Sequence, residues 1–167
     1  MHISNNGINF IKSFEGCYLR AYDDLNPTKV LKKGDKIKGT LTIGIGHTGN
    51  DVKIGKTITY EQATNLFKAD VVRYEPKKDM KQCEFDALTS YRYNCGCSAS
   101  TTWKNRNKKI YSKGIRLKGL ERRRIAEMIL HFKGLYITSM KPLRIYINAT
   151  NTFTYNQICS DKFLTMC

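Results

Sequence analysis

The reading of this chain turns on residues 14–56, where FEGCYLRAYDD (14–24) is followed, after the lysine-rich segment LNPTKVLKKGDKIKG (25–39), by TLTIGIGHTGNDVKIGK (40–56). Just upstream, Ile8, Ile11 and Phe14 recur on one helical stripe. That spacing predicts a short amphipathic helix over about 5–14 that delivers Glu15, with Gly16 as its left-handed stop. In TLTIGIGH the side chains alternate, so Leu41, Ile43 and Ile45 share the apolar face of a strand while Thr42, Gly44 and Gly46 share the other. A strand with two glycines on one face admits a backbone or a ligand, and here one hydroxyl is left standing on it. Two carboxylates precede this strand in sequence: Glu15 and, nine residues later, Asp24. Asp23 would point to the opposite face of an extended segment, so Asp24 is the candidate and replacement of Asp23 is expected to be tolerated.

Taken alone, either carboxylate would be an ordinary solvated surface charge. The joint pattern is far more specific. A Glu, then Ala21-Tyr22-Asp23-Asp24, then Thr42 to Thr48 resembles the signature of the phage-type lysozymes, the endolysin muramidases among the glycoside hydrolases. GNDVKIGKTITYEQATNLFKADV (49–71), QCEFDALTSYRYNCG (82–96) and LKGLERRRIAEMIL (117–130) are similar to later segments of that family, so the likeness runs from about Ile8 to about Leu130. It implies an α+β lysozyme-like fold, with a small antiparallel three-stranded sheet lobe, a helical lobe and a substrate cleft between them. It implies hydrolysis of the glycosidic bond between N-acetylmuramic acid and N-acetylglucosamine in peptidoglycan. Glu15 would be the general acid, Asp24 the base that activates water, and Thr42 the residue that holds that water. Gly44 and Gly46 would floor the glycan site. Inversion at the anomeric carbon is implied as well, with the two carboxyls about 6.5–9.5 Å apart to leave room for water. No metal or organic cofactor is required.

Composition supports a polyanionic partner. The 167 residues carry 29 Lys and Arg against 14 Asp and Glu, a net charge of +15. Nucleic acid, anionic lipid and bacterial wall polymers all fit such a charge, and the motif selects peptidoglycan with its attached acidic polymers; no specific nucleic acid is expected. A binding protein derived from a lysozyme, or a cationic membrane- or nucleic-acid-binding protein, is the alternative. The N-terminal MHISNNGINF has no signal-peptide pattern and no apolar run reaches the roughly 18 residues of a membrane span, so the expectation is cytoplasmic synthesis, then action on the wall after holin-type permeabilisation. Six cysteines (17, 83, 95, 97, 159 and 167) are expected as reduced thiols, and Cys95-Gly96-Cys97 is one residue short of zinc spacing. A monomer is expected.

One domain accommodates the whole chain, residues 1–167, with a catalytic lobe over about 8–75, a reduced helical lobe over about 76–132 and a tail over about 133–167 whose LRIYINATNTFTYNQICSDKFL alternates like strand. Strands are expected around 19–22, 41–45 and 52–54. Helices are expected from the Thr59/Gln62 capping box onward, over about 80–93 and over about 119–132. Pro76 ends or bends the second helix. In the segment between Asp24 and Thr42, Val30-Leu31 and Lys36-Ile37 read as an inserted hairpin whose Lys32, Lys33 and Lys36 would meet anionic glycan. His47 and Asp70 are expected to form a structural pair joining strand to helix. Residues 104–124, with ten Lys or Arg and one Glu, read as a solvated face, with Trp103 and Tyr111 beside it. The sequon Asn148-Ala149-Thr150 carries no reading.

Overall fold

The computed structural model describes residues 1–97, 110–112, 114–138, 144–146 and 152–154. Trp103, the 104–109 part of the basic run, Cys159, Cys167 and the sequon lie outside the described residues. The fold is α+β, and it divides into two compact units: one built on Met1–Phe14 and the helical chain that begins at Val71, the other on Glu15–Asp70 with the strands of the tail. The first helix therefore joins the helical unit, and the division falls at 70/71 rather than near 75.

In the sheet-bearing unit, β1 (Cys17–Asp23) pairs antiparallel with β2 (Leu41–Gly44), matching Tyr22 to Thr42 and Asp23 to Leu41. β3 is His47–Thr48 and pairs back on β2, with Ile43 opposite His47. The third strand thus lies at 47–48, not 52–54. Gly44 and Gly46 explain the difference: both hold positive φ, 65° and 76°, which reverses the chain directly after β2 instead of extending it through Ile45. The bare glycine face of a continuous strand is therefore a tight turn. Residues 52–54 instead follow a turn closed by Val52 N–H to Gly49 O, and 56–58 run beside β1 through Ala21 N–H to Lys56 O and Ile58 N–H to Leu19 O. On the other edge of β1, β6 (Arg144–Tyr146) pairs parallel and β7 (Thr152–Thr154) pairs antiparallel to β6. Ala21, Ile43 and Val52 form the core of this unit, with Leu41 and Ile58 against them. Helix α2 (Tyr60–Val71) opens with the expected capping box: Thr59 N–H donates to Gln62 Oε1 and Gln62 N–H to Thr59 Oγ1. Its Ala63, Phe67 and Val71 are fully buried.

No hairpin forms in the inserted segment; 25–40 is irregular. Its apolar runs are two residues long, and its backbone donors go to carboxylates rather than to a ladder: Asp35 takes the N–H of Lys32, and Asp23 and Asp24 take those of Lys38, Gly39 and Thr40. Leu31, 2% exposed, anchors the loop.

The helical unit begins with α1 (Asn5–Lys12), capped by Ser4, whose Oγ accepts the Gly7 N–H. The helix ends at Ser13, where a right-handed C-cap and a hydroxyl bond to Phe10 O close it. Gly16 is absent from the positive-φ glycines and is not the stop. After α2 a 3-10 turn (Val72–Tyr74) leads to Glu75, held extended by Pro76. Helix α3 (Gln82–Cys95) buries every residue from Phe85 to Tyr91 and packs against α1 and against α4 (Lys118–Lys133); the short strands β4 (Tyr111–Ser112) and β5 (Ile115–Arg116) precede α4. The four described cysteines are free thiols.

Two buried carboxylates organise this unit. Asp86 accepts from Ser4 N–H, the Ser4 hydroxyl, the Gln82 amide and the Tyr136 hydroxyl, joining α3 to both flanking segments. Glu127 lies between Arg123 and Arg124 and takes the Ser90 hydroxyl at 2.7 Å. These two arginines, expected on a solvated face, are 3% and 2% exposed; only Arg122 of the triplet faces water. Burial pushes the Glu127 carboxyl up, against the pull of Arg123, Arg124 and Ser90. Replacing Glu127 with Gln leaves both guanidiniums buried beside a neutral group. We expect a loss of about 3–5 kcal/mol, read as a fall in urea midpoint at unchanged slope; a loss below about 1 kcal/mol would show that the arginines escape to water.

Candidate active site

Every candidate catalytic residue lies in the sheet-bearing unit. Glu15, half-buried, sits on the connection into β1, and Asp24, exposed, follows the last residue of that strand. Thr42 stands opposite Tyr22 in the β1–β2 register and is 4% exposed. The Thr40 peptide ties Asp24 and Thr42 together: its N–H donates to Asp24 Oδ1 at 2.7 Å, and its carbonyl accepts both the Asp24 N–H at 3.1 Å and the Thr42 hydroxyl at 3.1 Å. Asp24 and Glu15 also share a neighbour. Burial first, then the charges of Tyr18, Asp24, Glu15 and Cys17, push the Tyr22 hydroxyl above the ordinary phenol range. Tyr22 stacks on Tyr18 with ring centroids 4.0 Å apart.

The other candidates separate. Gly44 is buried toward α2, where a Cβ would meet Ala63 Cβ at 3.3 Å, so its bareness serves helix packing and the turn. Gly46 is exposed at the turn. Lys32, Lys33 and Lys36 are exposed on the inserted loop, while Lys29 is paired with Asp35 at 2.9 Å.

His47 Nδ1 lies 2.7 Å from Asp70 Oδ2, and Nε2 lies 3.1 Å from Asp51 Oδ1, a second partner that the sequence reading missed. Asp51 in turn binds Lys56 Nζ at 2.8 Å. Burial alone would lower the His47 ring, but hydrogen bonds and charge from Asp70 and Asp51 outweigh it and hold the ring above its ordinary value. Lys56 and then His47 hold the Asp51 carboxyl at about 2. Both ring nitrogens face carboxylates, and among the described residues no group of His, Cys, Asp and Glu is arranged to hold a metal ion.

Asp23 is the other residue the sequence reading undervalued. It does turn away from Asp24, but into the protein, where it is 3% exposed and accepts the N–H groups of Leu25, Lys38 and Gly39. The Asp-Asp-Leu-Asn-Pro run at 23–27 is an Asx-turn signal that points to such a role.

The phage lysozyme family model matches residues 12–127. The endolysin of Bacillus phage PZA is 40% identical over 105 residues, which cover 59% of this chain and 37% of that endolysin. The chain thus spans little more than a third of that relative's length. Among solved structures, the endolysin from Escherichia coli O157:H7 phage FAHEc1 is 32% identical with a TM-score of 0.63, over 83% of this chain and 98% of that one. The muramidase domain of SpmX from Asticaccaulis excentricus is 25% identical with a TM-score of 0.62, over 78% and 97% of the two chains.

The His47 cluster carries a pH signature. A ring held above its ordinary 6.5 contributes full stability below that pH and loses it as pH rises through the folded value. A carboxyl held at about 2 contributes above its ordinary 3.8 and loses that contribution as pH falls. The stability gap between the parent and His47→Gln should therefore peak between about pH 4 and 6.5 and narrow above it, measured by urea unfolding across pH. His47→Gln with Asp70→Asn should cost less than the two single losses added. A gap independent of pH would mean that the ring is uncharged in the fold.

Proposed function

The chain belongs to the phage lysozyme family, and on that premise we propose that it is a muramidase that cuts the bond between N-acetylmuramic acid and N-acetylglucosamine in peptidoglycan and so lyses the bacterial wall. The observation that carries this is the junction of Asp24 and Thr42 at the Thr40 backbone, on the strand β1 that Glu15 leads into. Glu15 gives its proton to the glycosidic oxygen as the C1–O bond breaks. Asp24 takes a proton from the water that attacks C1 from the opposite face, and the configuration inverts. The Thr42 hydroxyl already spends its proton on Thr40 O, so it holds the water by accepting a hydrogen bond from it. The protein acts as a monomer, with no cofactor.

Lys32, Lys33 and Lys36 supply attraction. They are exposed on a loop that returns beside Asp24, and the net charge of +15 suits a wall that carries acidic polymers. Gly46, exposed at the β2–β3 turn, stands where backbone approaches glycan most freely.

Glu15→Gln should lower the release of reducing ends from purified peptidoglycan on the order of 10²–10⁴-fold while pull-down on insoluble wall stays near parental, because the amide keeps the shape and loses the proton. Asp24→Asn should be similarly impaired, and proton NMR of the fresh product should show the inverted anomer. Parental lysis by Glu15→Gln would transfer the activity to the protein's charge. Replacing Lys32, Lys33 and Lys36 together by Ala should slow lysis mainly below roughly 0.1 M salt, where the screening length exceeds about 10 Å. An equal loss at every salt concentration would place these lysines in the glycan site itself.

A further inference from the structure

We propose that Asp23 is a positioning residue for the reaction: its buried carboxylate clamps the return of the inserted loop and thereby sets the Thr40 peptide that orients both Asp24 and Thr42. This rests on the muramidase reading for its effect on turnover, though not for its geometry.

The clamp is local. Asp23 Oδ1 accepts the N–H of Leu25 at 3.1 Å, where the loop leaves β1, and the N–H of Gly39 at 3.0 Å, where it comes back; Oδ2 accepts the N–H of Lys38 at 2.8 Å. One side chain therefore joins both ends of a segment some fourteen residues long, and backbone donation from Lys38, Leu25 and Gly39 keeps it ionised, below the usual carboxylate range. The next peptide along is that of Thr40, whose N–H and carbonyl hold Asp24 and Thr42 as described above. Gly39 leaves no slack between them. A Cβ there would run into Asp24 Oδ1 and would lie 2.7 Å from Leu25 Cγ and 2.9 Å from Asp23 Oδ1.

The chemistry demands an anion at Asp23. An amide offers one accepting oxygen, and its NH2 would face a backbone N–H, two donors in opposition. In Asp23→Asn the 38–39 segment is therefore repelled on one side, and the Thr40 peptide loses its anchor although Asp24 and Thr42 are untouched. Misplacement of a reacting group by about 1 Å costs up to about 10²-fold in rate. Asp23 is 3% exposed and both its oxygens are taken by backbone donors, so KM should not follow.

Two measurements on the full chain decide the matter. In Asp23→Asn, amide hydrogen exchange by NMR should accelerate at least about tenfold at Thr40, whose acceptor is Asp24 and not the mutated residue, as well as at Lys38 and Gly39. Turnover of peptidoglycan should fall about tenfold or more with KM within about twofold of parental. Gly39→Ala, which forces the same segment away from Asp24 without altering a charge, should reproduce the fall in kcat, and it stands in if Asp23→Asn does not fold. Persistent protection of Thr40 in Asp23→Asn overturns the proposal, and so does parental kcat in either folded variant. The exchange arm needs no activity, so an inactive parent protein would reject the muramidase reading while leaving the clamp to be judged by Thr40 alone.

Discussion

The placing of Asp24 and Thr42 at the candidate site hangs on backbone donors captured by two adjacent carboxylates. Asp23 and Asp24 end β1 on opposite sides, one 3% exposed and the other open to water. Alternation along a strand does this without further design, because successive side chains face opposite ways. The inward one collects three N–H groups and the outward one a fourth. A loop rich in lysine has little apolar surface with which to fix itself, and apart from Leu31 it is fixed by these ion–dipole bonds. The arrangement leaves the lysines at the tip exposed while the root of the loop is tied to the end of β1.

The helical unit meets a related problem with similar means. Its long central helix α3 is buried over 85–91, yet that run includes Asp86, Thr89 and Ser90. Each finds a partner: Asp86 in Ser4, Gln82 and Tyr136; Thr89 in Phe85 O; Ser90 in Glu127. Polar groups buried in this way stabilise little in sum but penalise any other register of α3 against its neighbours, since each displaced group would be left unpaired. Arg124 extends the same network to Asn94 and Cys95, at the C-terminal end of α3 where its charge opposes the helix dipole favourably.

Much of this was legible in the sequence, for identifiable reasons. Periodic apolar stripes and the Thr59/Gln62 capping box located the helices to within two or three residues, because those signals are local and strong. The motif from Glu15 to Thr48 carried the family. What escaped was decided by non-local contacts or by backbone sign. Alternation cannot reveal that Gly44 and Gly46 adopt positive φ, and so it extended β2 by a residue and misplaced β3. A run of Arg122-Arg123-Arg124 looks solvated until Glu127 and Ser90 are seen to accept two of its members inside. The loop of 25–40 looked like a ribbon because its apolar pairs are spaced for one, but Asp23, Asp24 and Asp35 compete for the donors that a ribbon would need.

The aspartate pair shows why motif and mechanism are not the same kind of information. The signature singles out Asp24 as the proposed base. It is silent on Asp23, whose part is set by three backbone donors that the sequence does not show. Here that loop is long, basic and nearly without a core of its own, so the demand for an internal anion at its root is high. Asp23 meets that demand at the position where one carboxylate reaches both loop ends, and where its own charge is kept chiefly by backbone donors, with the charge of Lys38 adding to them. The exposed lysines at the tip of this loop and the anionic anchor at its root thus belong to one segment.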